Sequence, residues 1–528
     1  MIATLSIFPP FGIELSLIAL ALIVLLWEAF AEGANRRAVT GSCLFVLAGL
    51  SAWSLYYLTS AMNTSAVADK LFLIQFLDFK GMLGFDGVSK LAKPFFLLAA
   101  AGAITIAYEY RSQMERGFSE LVALILISTT GMIVLASANE FMTLFVALEL
   151  ITVSFYVMVS FQKRNPLSLE AGIKYLIIGA VSSAIMVYGI AFYFGTMRQT
   201  YFMIGVPVPL LTNFCLILIL TGLCFKIAAV PFHMWAPDAY QGAPTPVTAF
   251  LATASKAAGF FILFRMLNAA FGFVGTVHVW AVLLMLLAAL SMLLGNLSAL
   301  PQSNLKRLMA YSGIGHTGFL LVGLATSNPA ISLLGGPAVY FYLLSYLIAS
   351  LVIFLVATIV SNVSKSSELS NFSGLAQRSP GLAFAMLIAL ASLAGIPPLA
   401  GFFGKFTILA SLINMQDIPG LSIHFHGFDL GFWNLHLNPF VVPGTPLLIF
   451  AVLLIAIVSA VIGLYYYLGV IRLMYFGKIE DDRPLPFSSP AKLMLVLGTV
   501  ATILLGICQG RVFDKASHLL SQFLNFGL

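Results

Sequence analysis

Charge is what this sequence has least of. Of its 528 residues only 9% are Asp, Glu, Lys or Arg against 60% hydrophobic ones, and the mean hydropathy is +1.02. A soluble domain of this length could not clothe itself with so few charges, so soluble globular classes are excluded and a polytopic membrane protein is expected. Cysteine is almost as scarce. The four (Cys43, Cys215, Cys224 and Cys508) lie far apart, with no C-x-x-C and no histidine cluster beside them, which argues against an iron–sulfur or zinc site. The net charge of +6 is spread over short loops rather than gathered on one face, so no nucleic acid partner is expected. The first apolar run contains Glu14 and Glu28 and lacks both a basic leader and a small-residue cleavage site. It reads as a retained helix rather than a signal peptide.

Long apolar runs are abundant. A helix needs ~20 apolar residues to span the hydrocarbon core. Fourteen segments qualify: 12–32, 38–58, 90–108, 117–137, 139–161, 170–195, 209–233, 244–268, 276–296, 303–325, 336–361, 381–413, 447–475 and 491–510. Lys and Arg stay preferentially on the cytoplasmic side. An outward N-terminus puts most loop cations inside, from Arg36, Arg37, Arg111 and Arg116 through Lys163, Lys306 and Lys365 to Arg378 and Arg483. Lys70, Lys80, Arg198 and Arg265 are then left outside, as is the C-terminus.

Two segments are interrupted alike. The seventh has Lys226 followed by Pro231; the twelfth has Pro397 and Pro398 leading to Lys405. Proline removes an amide donor and frees a carbonyl one turn back, here that of Ile227, which lipid tolerates only where the break is buried in protein or faces water. The breaks are five segments apart. An odd offset means that the second copy enters the membrane from the opposite side, and paired broken helices of this kind point to an ion path. The expected fold is therefore all-α and polytopic, with about fourteen transmembrane helices and two inverted five-helix repeats broken at the seventh and twelfth helices. Residues 1–116 hold helices one to three, 117–268 the first repeat, 276–475 the second, and 476–528 the last helix and tail.

Charges inside these runs are the candidate site. Glu149 lies about ten residues into its helix, ~15 Å deep and near the midplane. A charge there costs ~2.5–3.5 kcal/mol, so it must face the bundle and find a partner. Lys226 is the expected one; burial and a nearby carboxylate act in opposite senses on a lysine's proton affinity, so an ion pair that opens and closes can move a proton. Lys256 and Lys405 are at similar depth. Lys174 is about four residues into its helix, within reach of the interface. His316, on the tenth segment, titrates near neutral pH when hydrated. Each of these residues also has a structural reading as a satisfied buried group or salt bridge.

Two motifs are set aside. Gly313, Gly315 and Gly318 spell G-x-G-x-x-G, but within an apolar run and after no strand, so they read as helix packing. His424, His426 and His436 in the 414–446 stretch lack a third ligand at metal spacing and read as an outer-face loop.

The stretches "FKIAAVPFHMWAPDAYQGAPTPVTAFLATASK", "NLKRLMAYSGIGHTGFLL", "SLAGIPPLAGFFGKF" and "LYYYLGVIRLMYF" resemble signatures of the antiporter-like membrane subunits of respiratory complex I, the proton-pumping type I NADH:quinone oxidoreductase. Lysine at 405 is similar to the subunit N type. The resemblance implies that Glu149 and Lys226 are the fifth- and seventh-helix pair, Lys256 the central relay, Lys405 the second half-channel residue and Lys174 a sixth-helix lysine. Lys306 and His316 fall at polar positions of the tenth helix. It further implies no cofactor in this chain, with FMN, iron–sulfur clusters and quinone held by partners. Those partners would be subunits of the M, L, K, J, A and H types and, through them, the hydrophilic NADH-oxidising arm, in a bacterial inner membrane. Gly469 departs from the pattern, standing where an arginine is usual. A subunit of a multi-subunit Mrp-type Na+/H+ antiporter and a hydrogenase-linked ion pump remain open as alternatives.

Overall fold

The computed structural model describes residues 12–30, 36–60, 81–114, 117–202, 209–272, 274–328, 332, 334–413, 446–478 and 483–525. Lys70, Lys80, Arg116 and the histidines between 414 and 445 lie outside them. Regular structure among the described residues is helical. The expected first six spans are α1 (Gly12–Phe30), α2 (Arg36–Ser60), α3 (Gly87–Tyr110), α4 (Phe118–Ser137), α5 (Phe141–Val159) and α6 (Pro166–Met197). The seventh is α7 (Pro209–Lys226), which stops at its lysine; the chain then passes irregularly through Pro231 into the short α8 (Trp235–Gly242). The eighth is α9 (Thr245–Ala269), which contains a π-helical turn at Leu251–Ser255. There follow α10 (Val274–Ala299), α11 (Leu305–Ala325), α12 (Gly335–Ser364), α13 (Pro380–Ala394), α14 (Ala400–Ile413), α15 (Pro446–Phe476), α16 (Ser489–Ile507) and α17 (Gln509–Asn525). Twelve of the described helices are long and apolar enough to cross a membrane, and α7, α13 and α14 are apolar but shorter. The seventh and twelfth spans are thus the interrupted ones, as expected.

Helices rich in Gly, Ser, Thr and Tyr occupy the centre, because small residues let backbones approach and polar side chains bond across helices. Thus α9, α11 and α12 are buried almost throughout, whereas α2, α15 and α16 turn most of their apolar surface outward. The glycines of α11 serve packing: a methyl at Gly318 would come within 2.7 Å of the Ala288 carbonyl on α10.

Backbone groups at both breaks find partners. The Ile227 carbonyl, expected to be free, accepts the Thr317 hydroxyl of α11 at 3.0 Å. The Val230 amide donates to Ser291 Oγ of α10 at 3.0 Å, and Trp235 Nε1 donates to the Phe225 carbonyl at 3.1 Å. At the twelfth span α13 ends on Gly395, whose φ of +89° suits a residue without a Cβ and returns its amide to Ala391 and Ser392.

Two features depart from expectation. Arg265, read as an outer-face loop charge, is a wholly buried residue of α9. Its guanidinium bonds the Asp86 carboxylate at 2.7 Å, Asn139 Oδ1 at 2.6 Å and the Ala136 carbonyl at 2.9 Å. Sequence hydropathy cannot see such pairing, because Asp86 is 179 residues away. The second is α17, too polar to count as a span. It packs one apolar side, with Leu519 and Leu520 buried and Phe523 ringed against Phe264 at 5.8 Å.

Candidate functional site

In the first half the site is assembled by α5, α6 and the end of α7. Lys226, 2% exposed, donates from Nζ to Thr152 Oγ1 at 3.2 Å and lies 5.5 Å from the Phe155 ring centre. Thr152 stands three residues beyond Glu149 on α5, hence on the same helix face. Glu149 Oε1 accepts the Ser183 hydroxyl of α6 at 2.5 Å. The expected Glu149–Lys226 pair is therefore open: its charges act on one another electrostatically without a contact inside 4.0 Å.

The central part is built on α9, α11, α12 and α15. Lys256, just past the π turn, donates to the Gly313 carbonyl at 2.6 Å. A Cβ on residue 313 would sit 2.9 Å from that nitrogen, so glycine is what allows the approach. The Thr317 hydroxyl lies 3.0 Å from both the Gly313 and Ile227 carbonyls and so ties the first break to the Lys256 acceptor. His316, expected as a polar station, holds two tyrosines, Nδ1 to Tyr342 at 2.5 Å and Nε2 to Tyr467 at 2.9 Å. Tyr467 also pairs with the Ser312 hydroxyl. Lys256 and Lys405 both lie within electrostatic reach of the His316 ring.

In the second half Lys405, 8% exposed, reaches back across the break. Its Nζ donates to the Leu393 carbonyl at 2.8 Å and the Ala394 carbonyl at 3.1 Å. These are end carbonyls of α13 with no intrahelical partner, at the negative pole of that helix.

The remaining candidates lie at the end of the bundle that carries Lys163 and Lys365. Lys306 donates to the Ala243 carbonyl at 2.8 Å and lines a cavity of about 1050 Å³ shared with Glu120, Lys163 and Glu368. Asn304 caps α11 and sets Lys306 and Arg307 in its first turn. Lys174 is 44% exposed and apart from the central row, bonded to Glu170 at 2.7 Å and Asp238 at 2.8 Å. Asp238 also takes Arg307 at 2.8 Å. Burial pushes the Asp238 carboxyl up, but its bonds from Lys174 and Arg307 outweigh this and hold it below the usual carboxylate range. Among the described residues no His, Cys, Asp or Glu cluster could hold a metal ion.

The structure thus brings Lys226, Lys256, His316 and Lys405 into one buried region, with the half-buried Glu149 beside it, Lys306 buried at the start of α11 and Lys174 apart and partly exposed. Sequence reasoning missed Ser183, Tyr342, Tyr467 and the Asp238–Arg307 pair, which no local pattern marks. Thr152 was findable from its spacing to Glu149. Chemically, Lys256 and Lys405 share one property: each donates to backbone carbonyls rather than to a carboxylate. A carbonyl accepts from an amine as well as from an ammonium, so these bonds survive loss of a proton, where a carboxylate would trap it.

Two broken spans and a buried row of amines between them define an antiporter-like membrane subunit. The chain belongs to the family described as NADH:quinone oxidoreductase/Mrp antiporter, TM, which matches residues 138–428. More particularly, it is 38% identical over 437 residues to NADH-quinone oxidoreductase subunit N of Heliobacterium modesticaldum, covering 82% of this chain and 84% of that one. A chain of respiratory complex I from Thermus thermophilus, solved with bound aureothin, superposes with a TM-score of 0.73 at 29% identity over 96% of this chain and 99% of its own. A chain of the Mrp complex from Dietzia sp. shares the fold alone, with a TM-score of 0.76 at 17% identity over 97% of each.

Proposed function

We infer that this chain is a proton-translocating membrane subunit of NADH:quinone oxidoreductase, of the subunit N type. Electron transfer in partner subunits drives proton movement through it. The observation that carries the reading is the buried row of amines between two broken spans, in a chain with 38% identity to a subunit N. Residues 117–268 and 276–475 act as the two half-channel units, flanked by 1–116 and 476–528. A proton enters from the end bearing Lys306 and reaches Lys226 and Lys256 as Glu149 exchanges Ser183 for Lys226. It then passes His316 and its tyrosines to Lys405. Lys174 tunes the entry side through Asp238. When Lys226 leaves Thr152 for Glu149, its proton is held by a full charge; when it returns, by a hydroxyl dipole. That difference is what coupling can work on.

The chain is a multi-pass membrane subunit and assembles with other subunits of complex I. We assign the M, L, K, J, A and H types and the NADH-oxidising arm as its partners, with FMN, iron–sulfur clusters and quinone in them. We assign a bacterial inner membrane with both termini on the outer side.

The test is NADH-driven acidification of inverted vesicles carrying Lys226→Ala, alongside NADH:quinone turnover and assembly of the complex. Assembly with pumping and turnover falling together supports the reading. Unchanged pumping and turnover with loss of cellular Na+ tolerance would assign the chain to an antiporter instead.

A further inference from the structure

Two buried hydroxyls near Glu149 have no part in the proton path described above. Tyr156 lies one turn past Thr152 on α5 and two turns past Glu149, on the same helix face. Tyr175 faces it from α6, and the two rings meet edge-on with their centres 5.1 Å apart. Tyr175 is wholly buried, its ring 4.6 Å from that of Trp235 and 5.8 Å from that of Phe225, the residue before Lys226. Among the described residues neither hydroxyl oxygen has a hydrogen-bond partner, and both oxygens are enclosed. An enclosed hydroxyl without a partner is costly, and in folded proteins such groups are usually satisfied by ordered water.

The backbone places these hydroxyls within one water of the carboxylate. A Cβ at Gly179 of α6 would collide with the Tyr156 hydroxyl, so that hydroxyl rests against the glycine. Gly179 comes four residues before Ser183, whose hydroxyl Glu149 Oε1 accepts at 2.5 Å. Four residues are ~6 Å of helix rise, and a single water bonded at ~2.8 Å on either side spans about that distance. Glu149 is within electrostatic reach of both tyrosines, and they of each other. Packing alone would be served by phenylalanine at both positions. The hydroxyls call for a small polar occupant that can donate to a carboxylate while accepting from a phenol, and water does both.

We propose that ordered water bridges Glu149 to the hydroxyls of Tyr156 and Tyr175, which makes both tyrosines positioning residues for the carboxylate. That role rests on the proton path proposed above; the water site does not. The bridge gives Glu149 a donor that stays in place when the carboxylate leaves Ser183 for Lys226, so the exchange does not strand a buried charge. Thr152, between Glu149 and Tyr156 on the same face, holds Lys226 at 3.2 Å, which sets both halves of the exchange beside the bridge.

The test uses the whole complex and two readouts: a cryo-EM map fine enough to show ordered water, and NADH-driven acidification of inverted vesicles per NADH oxidised. Wild type is compared with Tyr156→Phe/Tyr175→Phe and, as a control on α6, with Tyr188→Phe, where the tyrosine is 58% exposed. Wild type is expected to show water within hydrogen-bond reach of both hydroxyls and of Glu149. The double variant is expected to lose it and to pump about fivefold less, the rate equivalent of one lost hydrogen bond, with the control unchanged. Phenylalanine keeps both rings, so a packing role moves neither readout. A wild-type map without that water overturns the proposal and needs no variant to assemble. Water that persists in the double variant overturns it too, as does pumping equal to wild type once the water is gone. Lys226→Ala in the same vesicles keeps the two readings apart: pumping that survives it sinks the proton path while the map still decides the water site, and a dry map leaves the path standing.

Discussion

The two broken spans face the same problem, holding a buried amine, and meet it differently. At the seventh span Lys226 precedes the break, donates to a threonine hydroxyl and has a glutamate within electrostatic reach. At the twelfth Lys405 follows the break and is held by two carbonyls at the end of α13. A carboxylate can turn away and titrate. The terminal carbonyls of a helix can do neither. On the proposed path the first site would change state and the second would keep its geometry while a proton comes or goes, although the same sequence elements, an apolar run, proline and lysine, make both.

The sharpest way to break this comparison is Lys405→Arg. Arginine keeps the charge and the donors but does not release its proton in proteins. The expected outcome is an assembled complex whose pumping falls at least about tenfold, a barrier change of ~1.4 kcal/mol, in the vesicle acidification assay. Retained pumping would make the second site structural. Glu149→Gln removes the switchable charge while Thr152 still holds Lys226, so a smaller loss of about five- to tenfold in pumping is expected, with assembly intact. Equal pumping would mean that the carboxylate is not the partner that matters. Gly313→Ala puts a methyl against Lys256 Nζ and lengthens a bond common to neither break. A few-fold loss, about 1 kcal/mol, is expected in the same assay, and Gly469→Ala, which meets nothing within 4 Å, should show none.

The smallest effect is expected at the rim. Asp238→Asn removes a partly exposed carboxylate from Lys174 and Arg307, so it should cost under about 1 kcal/mol of stability after solvent screening. The Asp238 carboxyl is depressed in the fold. Its contribution is therefore complete above the unfolded carboxylate pKa of about 4 and is lost as pH falls through the lower folded value. Thermal unfolding of wild-type and variant complexes should differ at pH 7 and converge in acid; a difference that persists in acid would show that the ion pairs are not its source.

Much of this was legible beforehand because it is local. Pro231, Pro397 and Pro398 mark breaks wherever they fall in an apolar run. Lys226, Lys256 and Lys405 declare themselves because an amine among apolar neighbours must be held by the bundle. Lys174 was recognised as close to an interface, and it is in fact half exposed in surface ion pairs. Arg265 was misread because the boundary of α9 alone cannot tell a rim charge from a buried one. The α17 helix was missed for a related reason: its apolar face is hidden in an average that its polar face cancels.

Run length, proline and isolated charge are properties of adjacent residues. They suffice for the number of spans, for which two are interrupted, and for the buried amines Lys226, Lys256 and Lys405, but not for Lys306, read as a loop cation and buried in the first turn of α11. The partner of each amine is another matter. Thr152 rather than Glu149 for Lys226, Gly313 for Lys256, the α13 end for Lys405 and Asp86 for Arg265 depend on how helices far apart in the chain are rotated and how closely they cross. A helix turns about 100° per residue, so the atom that meets a buried nitrogen is chosen by packing between helices, and that choice exists only in the folded bundle.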